Sequence, residues 1–151
     1  MNLINEPKPD RLAIEHSTRT TSLAELSRIP VLWGRQITLT DLVNEWAARV
    51  VQHHADSQND AAARDPWGLD DLEGSYFVRD QLHYEFLLHN LGRSPVLDSI
   101  DSLLITFTSV STQPSLAKLA GAEEDAGWWW ARIPTRGLVR QEYEGLQRGS
   151  V

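Results

Sequence analysis

The chain has 151 residues, 41% of them hydrophobic and 23% charged, which is enough for one core and leaves little room for a second domain. Its net charge is -7, from 21 acidic and 14 basic residues, and only two of the bases are lysines. Clustered Lys and Arg are what nucleic acid requires, so nucleic-acid binding is disfavoured and a basic partner is the natural complement. The absence of cysteine excludes disulfides, thiolate zinc sites and a cysteine nucleophile. No apolar run approaches the roughly 18 residues that cross a bilayer, so no membrane association is expected. Residues 1–10 lack the basic start and apolar centre of a signal peptide, and a cytoplasmic location is the simpler expectation.

In chain order, residues 1–21 read as an extended N-terminal arm, with Pro7 and Pro9 against an early helix and Leu12, Ile14 and His16 alternating. Residues 22–151 read as a single helical domain. Ser22 and Glu25 have capping-box spacing ahead of Leu23, Leu26 and Ile29, and Pro30 is expected to end that short helix. From Thr38 or Thr40 to about Asp56, Leu39, Leu42, Val43, Trp46, Ala47, Val50, Val51 and His54 follow helical spacing, with Trp46 in the core.

Asp70 and Asp71 suit a helix amino terminus. The helix after them carries Leu72, Tyr76, Phe77, Leu82, Phe86, Leu87 and Leu91, and Gly92 is expected to end it. Ser94-Pro95 restarts a helix whose apolar face is Val96, Ile100, Leu103, Leu104 and Phe107, although residues 105–108 also suit a strand. A short turn follows at residues 115–120, and a last helix runs from Leu138 to Leu146. The predicted fold is mainly α: a compact bundle of about four to five helices, with short extended segments near the N-terminus and around the tryptophan strip.

Charge is unevenly distributed. Residues 56–73 hold six acids against Arg64, and residues 123–130 hold three acids and no base, a combined charge of -8. The remaining twelve acids and thirteen bases sum to +1, so the body is nearly neutral. The same two segments hold four of the six tryptophans: Trp67, Trp128, Trp129 and Trp130. Tryptophan anchors interfaces, and neighbouring acids steer a basic partner. The candidate partner-binding residues are therefore Asp65, Trp67, Asp70, Asp71, Glu73, Glu123, Glu124, Asp125, Trp128, Trp129 and Trp130. Against this reading, three consecutive tryptophans cannot all face one way, so at least one belongs in the core. Trp67 could equally be a loop anchor, and Asp70 and Asp71 simple dipole partners.

Catalytic signatures are missing from the sequence: there is no phosphate-binding glycine loop and no nucleophile elbow. The expectation is a protein that is not an enzyme, with no catalytic residue, cofactor or metal. The competing arrangement is a small metal-binding bundle that uses His54, His83, Glu85 and His89, with Glu85 and His89 one turn apart. Asp98 and Asp101 could be a carboxylate pair, but such a pair on a helix is more simply an ion-pair partner for Arg79 or Arg49.

The order of features from Leu32 onward resembles small bacterial immunity-type proteins encoded beside polymorphic toxins. That order is Asn44-Glu45-Trp46 in a helix, Asp65-Pro66-Trp67-Gly68, Arg79-Asp80, the helix of Asp98 and Asp101, and the strip from Trp128 to Pro134. The resemblance implies a non-catalytic inhibitor that occludes the active site of a cognate, basic toxin domain. The alternative is a structural or adaptor subunit whose aromatic strip docks into a larger assembly.

Overall fold

The computed structural model describes residues 20–31, 37–58, 65–111, 115–122 and 127–149. Within them the protein is mainly α, with a two-stranded sheet. The elements are α1 (Leu23–Leu26), α2 (Leu39–Gln58), α3 (Leu69–Leu88), α4 (Pro95–Phe107), β1 (Thr108–Val110), α5 (Leu116–Leu119), a 3-10 turn η1 (Trp128–Ala131), β2 (Arg132–Pro134) and α6 (Leu138–Gly149). No described helix is long and apolar enough to cross a membrane.

Local chemistry accounts for the helix ends. The Ser22 hydroxyl accepts the Glu25 N–H at 3.2 Å, as its spacing predicts. Thr38 and Asp41 cap α2 reciprocally, with the Asp41 carboxylate accepting the Thr38 N–H at 2.9 Å. Ser94 caps α4 through the Leu97 N–H, with Pro95 in the first turn. The end of α3 departs from expectation. Asn90, not Gly92, takes the left-handed conformation (φ 51°). The Asn90 and Leu91 N–H groups then return to the carbonyls of Leu87 and Phe86, satisfying the helix terminus two residues early.

α2 lies against both α3 and α4, and α6 closes over α3 and β2. Leu42, Val43, Trp46 and Val50 of α2 meet Leu72, Tyr76, Leu82 and Phe86 of α3, Leu97, Leu104 and Phe107 of α4, and Val139 and Tyr143 of α6 in one core. Several residues expected on inner faces are exposed: Leu23, Val51, Phe77 and Val96. His53, rather than His54, is the buried histidine of α2.

β1 continues directly from α4 and pairs antiparallel with β2, Ser109 opposite Ile133. Gly137 (φ 93°) turns the chain from β2 into α6. A side chain there would sit 3.2 Å from the Asp56 carbonyl oxygen, so only glycine fits the corner without displacement. Of the N-terminal arm, Thr20 and Thr21 are described. Thr20 bridges Arg93, and Thr21 bonds the carbonyls of Gly92 and Arg93. Leu12, Ile14 and His16 lie outside the described residues.

Candidate functional site

α3 organises the two kinds of site that the sequence singled out. Its inner face carries Arg79, whose Nε and Nη2 bond the two oxygens of Asp101 on α4 at 3.1 and 2.9 Å. The indole N–H of Trp46 donates to the same carboxylate at 3.0 Å. Arg79 and Asp101 are both buried, so their desolvation is offset by this bidentate geometry and the third donor. Asp101 is thus the ion-pair partner that its spacing suggested, not half of an acid–base pair; Asp98 pairs separately with Arg93 at 2.8 Å.

The next residue, Asp80, explains the tryptophan strip. Trp129 and Trp130 both donate their indole N–H to Asp80 Oδ1 at 2.9 Å. They are 1% and 2% exposed. The Trp129 ring also lies over the Arg79 guanidinium, 4.3 Å from Cζ, and faces it with π density. Trp130 stands edge-on to Tyr76 and Phe77. The Tyr76 hydroxyl donates to the Arg132 carbonyl at 2.6 Å, and Arg132 itself clamps Thr108, so η1 and β2 are bound to both α3 and α4.

This corrects the candidate contact set: Trp129 and Trp130 are core residues because a partly buried carboxylate satisfies both of their polar atoms. Trp128 remains half-buried, edge-on to Trp129. Glu123, Glu124 and Asp125 lie outside the described residues.

Trp67 is also half-buried. Its ring stands edge-on to His53, with the Arg49 guanidinium 5.8 Å from its centroid, and its backbone N–H donates to Asp56 at 2.9 Å. It therefore acts as the loop anchor weighed above. Asp56 is buried in that role and contributes nothing to an acidic surface.

His53 beneath Trp67 is held neutral. Ser75 donates its hydroxyl to the Asp71 carbonyl, so His53 Nε2 must donate to Ser75, leaving Nδ1 bare and buried without a hydrogen-bond partner. Burial lowers the His53 pKa to about 4, against the opposing pull of Asp71 and Asp56.

Asp65, Asp70 and Asp71 are exposed around the amino end of α3, and Glu73 is half-exposed. Asp71 caps the helix by accepting the Gly68 N–H at 2.8 Å. Glu142 of α6 accepts the Leu69 N–H at 2.9 Å, adding an acid that the sequence segment did not contain. The Glu73 carboxyl is pushed up, first by partial burial and then by the nearby Asp70 charge. Along the outward face from these acids come Phe77 and Tyr84, 44% and 42% exposed. Asp70, Phe77 and Tyr84 are seven residues apart in turn, so they form one stripe. The seven-residue spacing is legible in the sequence, where the neighbouring Tyr76 instead points to an inner-face position for Phe77.

The four residues of the competing metal arrangement do not come together. His54 packs on Phe107 and His83 edge-on to Trp129, while His89 Nε2 lies 3.3 Å from the buried Glu85 carboxylate. Among the described residues no group of three or more His, Asp or Glu side chains is placed to hold a metal ion. Comparison with known protein families, curated proteins and solved structures finds no match to this chain.

Proposed function

We propose that this protein is a non-catalytic inhibitor that neutralises a basic partner protein, in the manner of an immunity protein toward its toxin, by laying the outward face of α3 over the partner's positively charged active site. The reading rests on one observation: the helix whose amino end is ringed by Asp65, Asp70, Asp71 and Glu142 presents two exposed aromatic rings, Phe77 and Tyr84, on the same face as Asp70. Acids steer and orient a cationic surface, and rigid aromatic rings supply the desolvated contact that holds it. The contact surface differs from the one the sequence favoured. Its acids stay at the α3 end, and its aromatic anchors are Phe77 and Tyr84 in place of the buried tryptophans.

The test is co-expression with the product of the adjacent gene. The expected outcome is a stable complex in which the partner's toxicity is lost. Its association rate should fall by about an order of magnitude between low and physiological salt, and Asp70→Lys should slow it further. A complex whose formation ignores both salt and Asp70→Lys would overturn the assignment. A complex that leaves the partner active would favour an adaptor role instead.

A further inference from the structure

A second surface lies on the other flank of α3. A cleft of about 410 Å³ opens there, lined by Arg79 from α3, Asp101 from α4 and Trp129 from η1. Arg79 gives Nε and Nη2 to Asp101 at 3.1 and 2.9 Å, so Asp101 occupies one edge of the guanidinium. In a planar guanidinium the third nitrogen, Nη1, points directly away from that edge. Nη1 is buried at the floor with no hydrogen-bond partner among the described residues, on a side chain only 8% exposed. The Trp129 ring lies against the guanidinium face, which steadies the cation but offers its in-plane N–H groups no acceptor.

A charged donor left in the interior without an acceptor is costly and calls for a reason. What Nη1 requires is an oxygen, and an ionised oxygen makes the stronger bond. Such an oxygen would have the guanidinium between it and Asp101. It would sit nearer to the cation than to the carboxylate, so attraction exceeds repulsion. At the rim Arg93 and Asp98 hold each other at 2.8 Å and add little field of either sign. The other walls are apolar: Phe86, Leu97, Ile105 and Trp128. Solvent does not reach Nη1, so the oxygen must be carried down by a body that packs on these walls and displaces one of them. Trp129 is held by Asp80. The half-buried Trp128 has no hydrogen bond to its indole among the described residues, so it is the wall with freedom to yield. The volume falls within the range of small-ligand sites.

We propose that the cleft binds a small apolar carboxylic acid, with its carboxylate on Arg79 Nη1 and its hydrocarbon body against Leu97, Ile105 and Trp128. The carboxyl terminus of a peptide fits less well, because its adjoining amide groups would be buried against apolar walls. The site is separate from the outward stripe of α3, and either can fail without the other.

The test titrates the full chain at pH 7 with 3-phenylpropionate, following the Trp128 indole N–H and the Arg79 guanidinium resonances by NMR. Both are expected to shift in parallel and saturate, with 3-phenylpropionamide and acetate each at least about tenfold weaker. Ser102→Trp, at an exposed position lining the cleft, should abolish the shifts while Phe77→Ala leaves them intact. Ile105→Glu, which sets a carboxylate in the exposed wall, is the second variant should Ser102→Trp lower the unfolding midpoint. An absence of saturable shifts, a Trp128 shift without one at Arg79, or shifts that persist in both cleft variants would each overturn the proposal. Equal binding of the amide would remove the carboxylate from it, and equal binding of acetate would remove the apolar body; either result overturns it. N-acetyl-phenylalanine binding more tightly than 3-phenylpropionate would overturn the small-acid assignment in favour of a chain terminus.

Discussion

Trp67 and the strip Trp128–Trp130 sit in chain segments of the same composition, tryptophan beside a run of acids, yet the fold treats them differently. Around Trp67 the acids and the ring part company. Asp65, Asp70 and Asp71 face outward while the ring wedges between Arg49 and His53. In the strip, two indoles go fully inside because Asp80 of α3 waits there to accept both N–H groups. The difference teaches that the destination of a tryptophan is set less by its neighbours in sequence than by what distant elements offer it: a partly buried carboxylate for the indoles of the strip, the edge of a histidine and a guanidinium for Trp67. An indole whose N–H meets a protein acceptor can be taken inside at full hydrophobic gain.

The contrast can be sharpened by variants, beginning with those that should matter most. Arg79→Leu leaves Asp101 buried with only the Trp46 N–H and removes the cation beneath Trp129. We expect a loss of about 4 kcal/mol in urea unfolding, within the range for breaking a buried pair. Asp80→Ala strands two indole donors together, for an expected loss of about 3 kcal/mol, and Asp80→Asn, which keeps one acceptor oxygen, should recover part of it. A loss below about 1 kcal/mol in Asp80→Ala would show that the strip is not anchored this way.

Acid should act on the Trp67 side. The folded-state pKa of His53 lies below its ordinary 6.5, at about 4. The unfolded chain therefore takes up this proton first as pH falls. Stability due to neutral His53 is complete above pH 6.5 and declines by about 3 kcal/mol by pH 4. His53→Gln should flatten that part of the pH dependence, and an unchanged slope would remove His53 from the explanation. Trp67→Ala should be milder, about 1–2 kcal/mol, because the ring is only half-buried.

Much of the architecture was legible in local pattern. The capping chemistry of Ser22 and Ser94 needs only neighbours three residues away, and the spacing of Leu42, Val43, Trp46 and Val50 defines the buried face of α2 without reference to anything else. The pairing of Asp101 with Arg79 could be anticipated because a carboxylate on the inner face of one helix calls for a cation on the next. What could not be read was long-range. Nothing near Trp129 and Trp130 reveals that their acceptor lies about fifty residues earlier, and nothing near residue 132 indicates pairing with Thr108–Val110. Phe77 was misplaced for a related reason. Beside Tyr76 and Leu82 it looks internal, but α3 is covered on one side only, and a ring 100° around the helix from Tyr76 emerges at the edge of the core. Asn90 shows a smaller limit: asparagine also tolerates the left-handed turn, so the nearer residue ended the helix before Gly92 could.

The decisive measurement is the affinity of the Phe77→Ala, Tyr84→Ala double variant for the product of the adjacent gene, taken with its unfolding free energy. Affinity is expected to fall about a hundredfold, with stability lowered by about 1–2 kcal/mol because each ring is more than two-fifths exposed and Phe77 touches the core only through Trp130. Undiminished affinity in the folded double variant would contradict the assignment of the outward face of α3 as the contact surface.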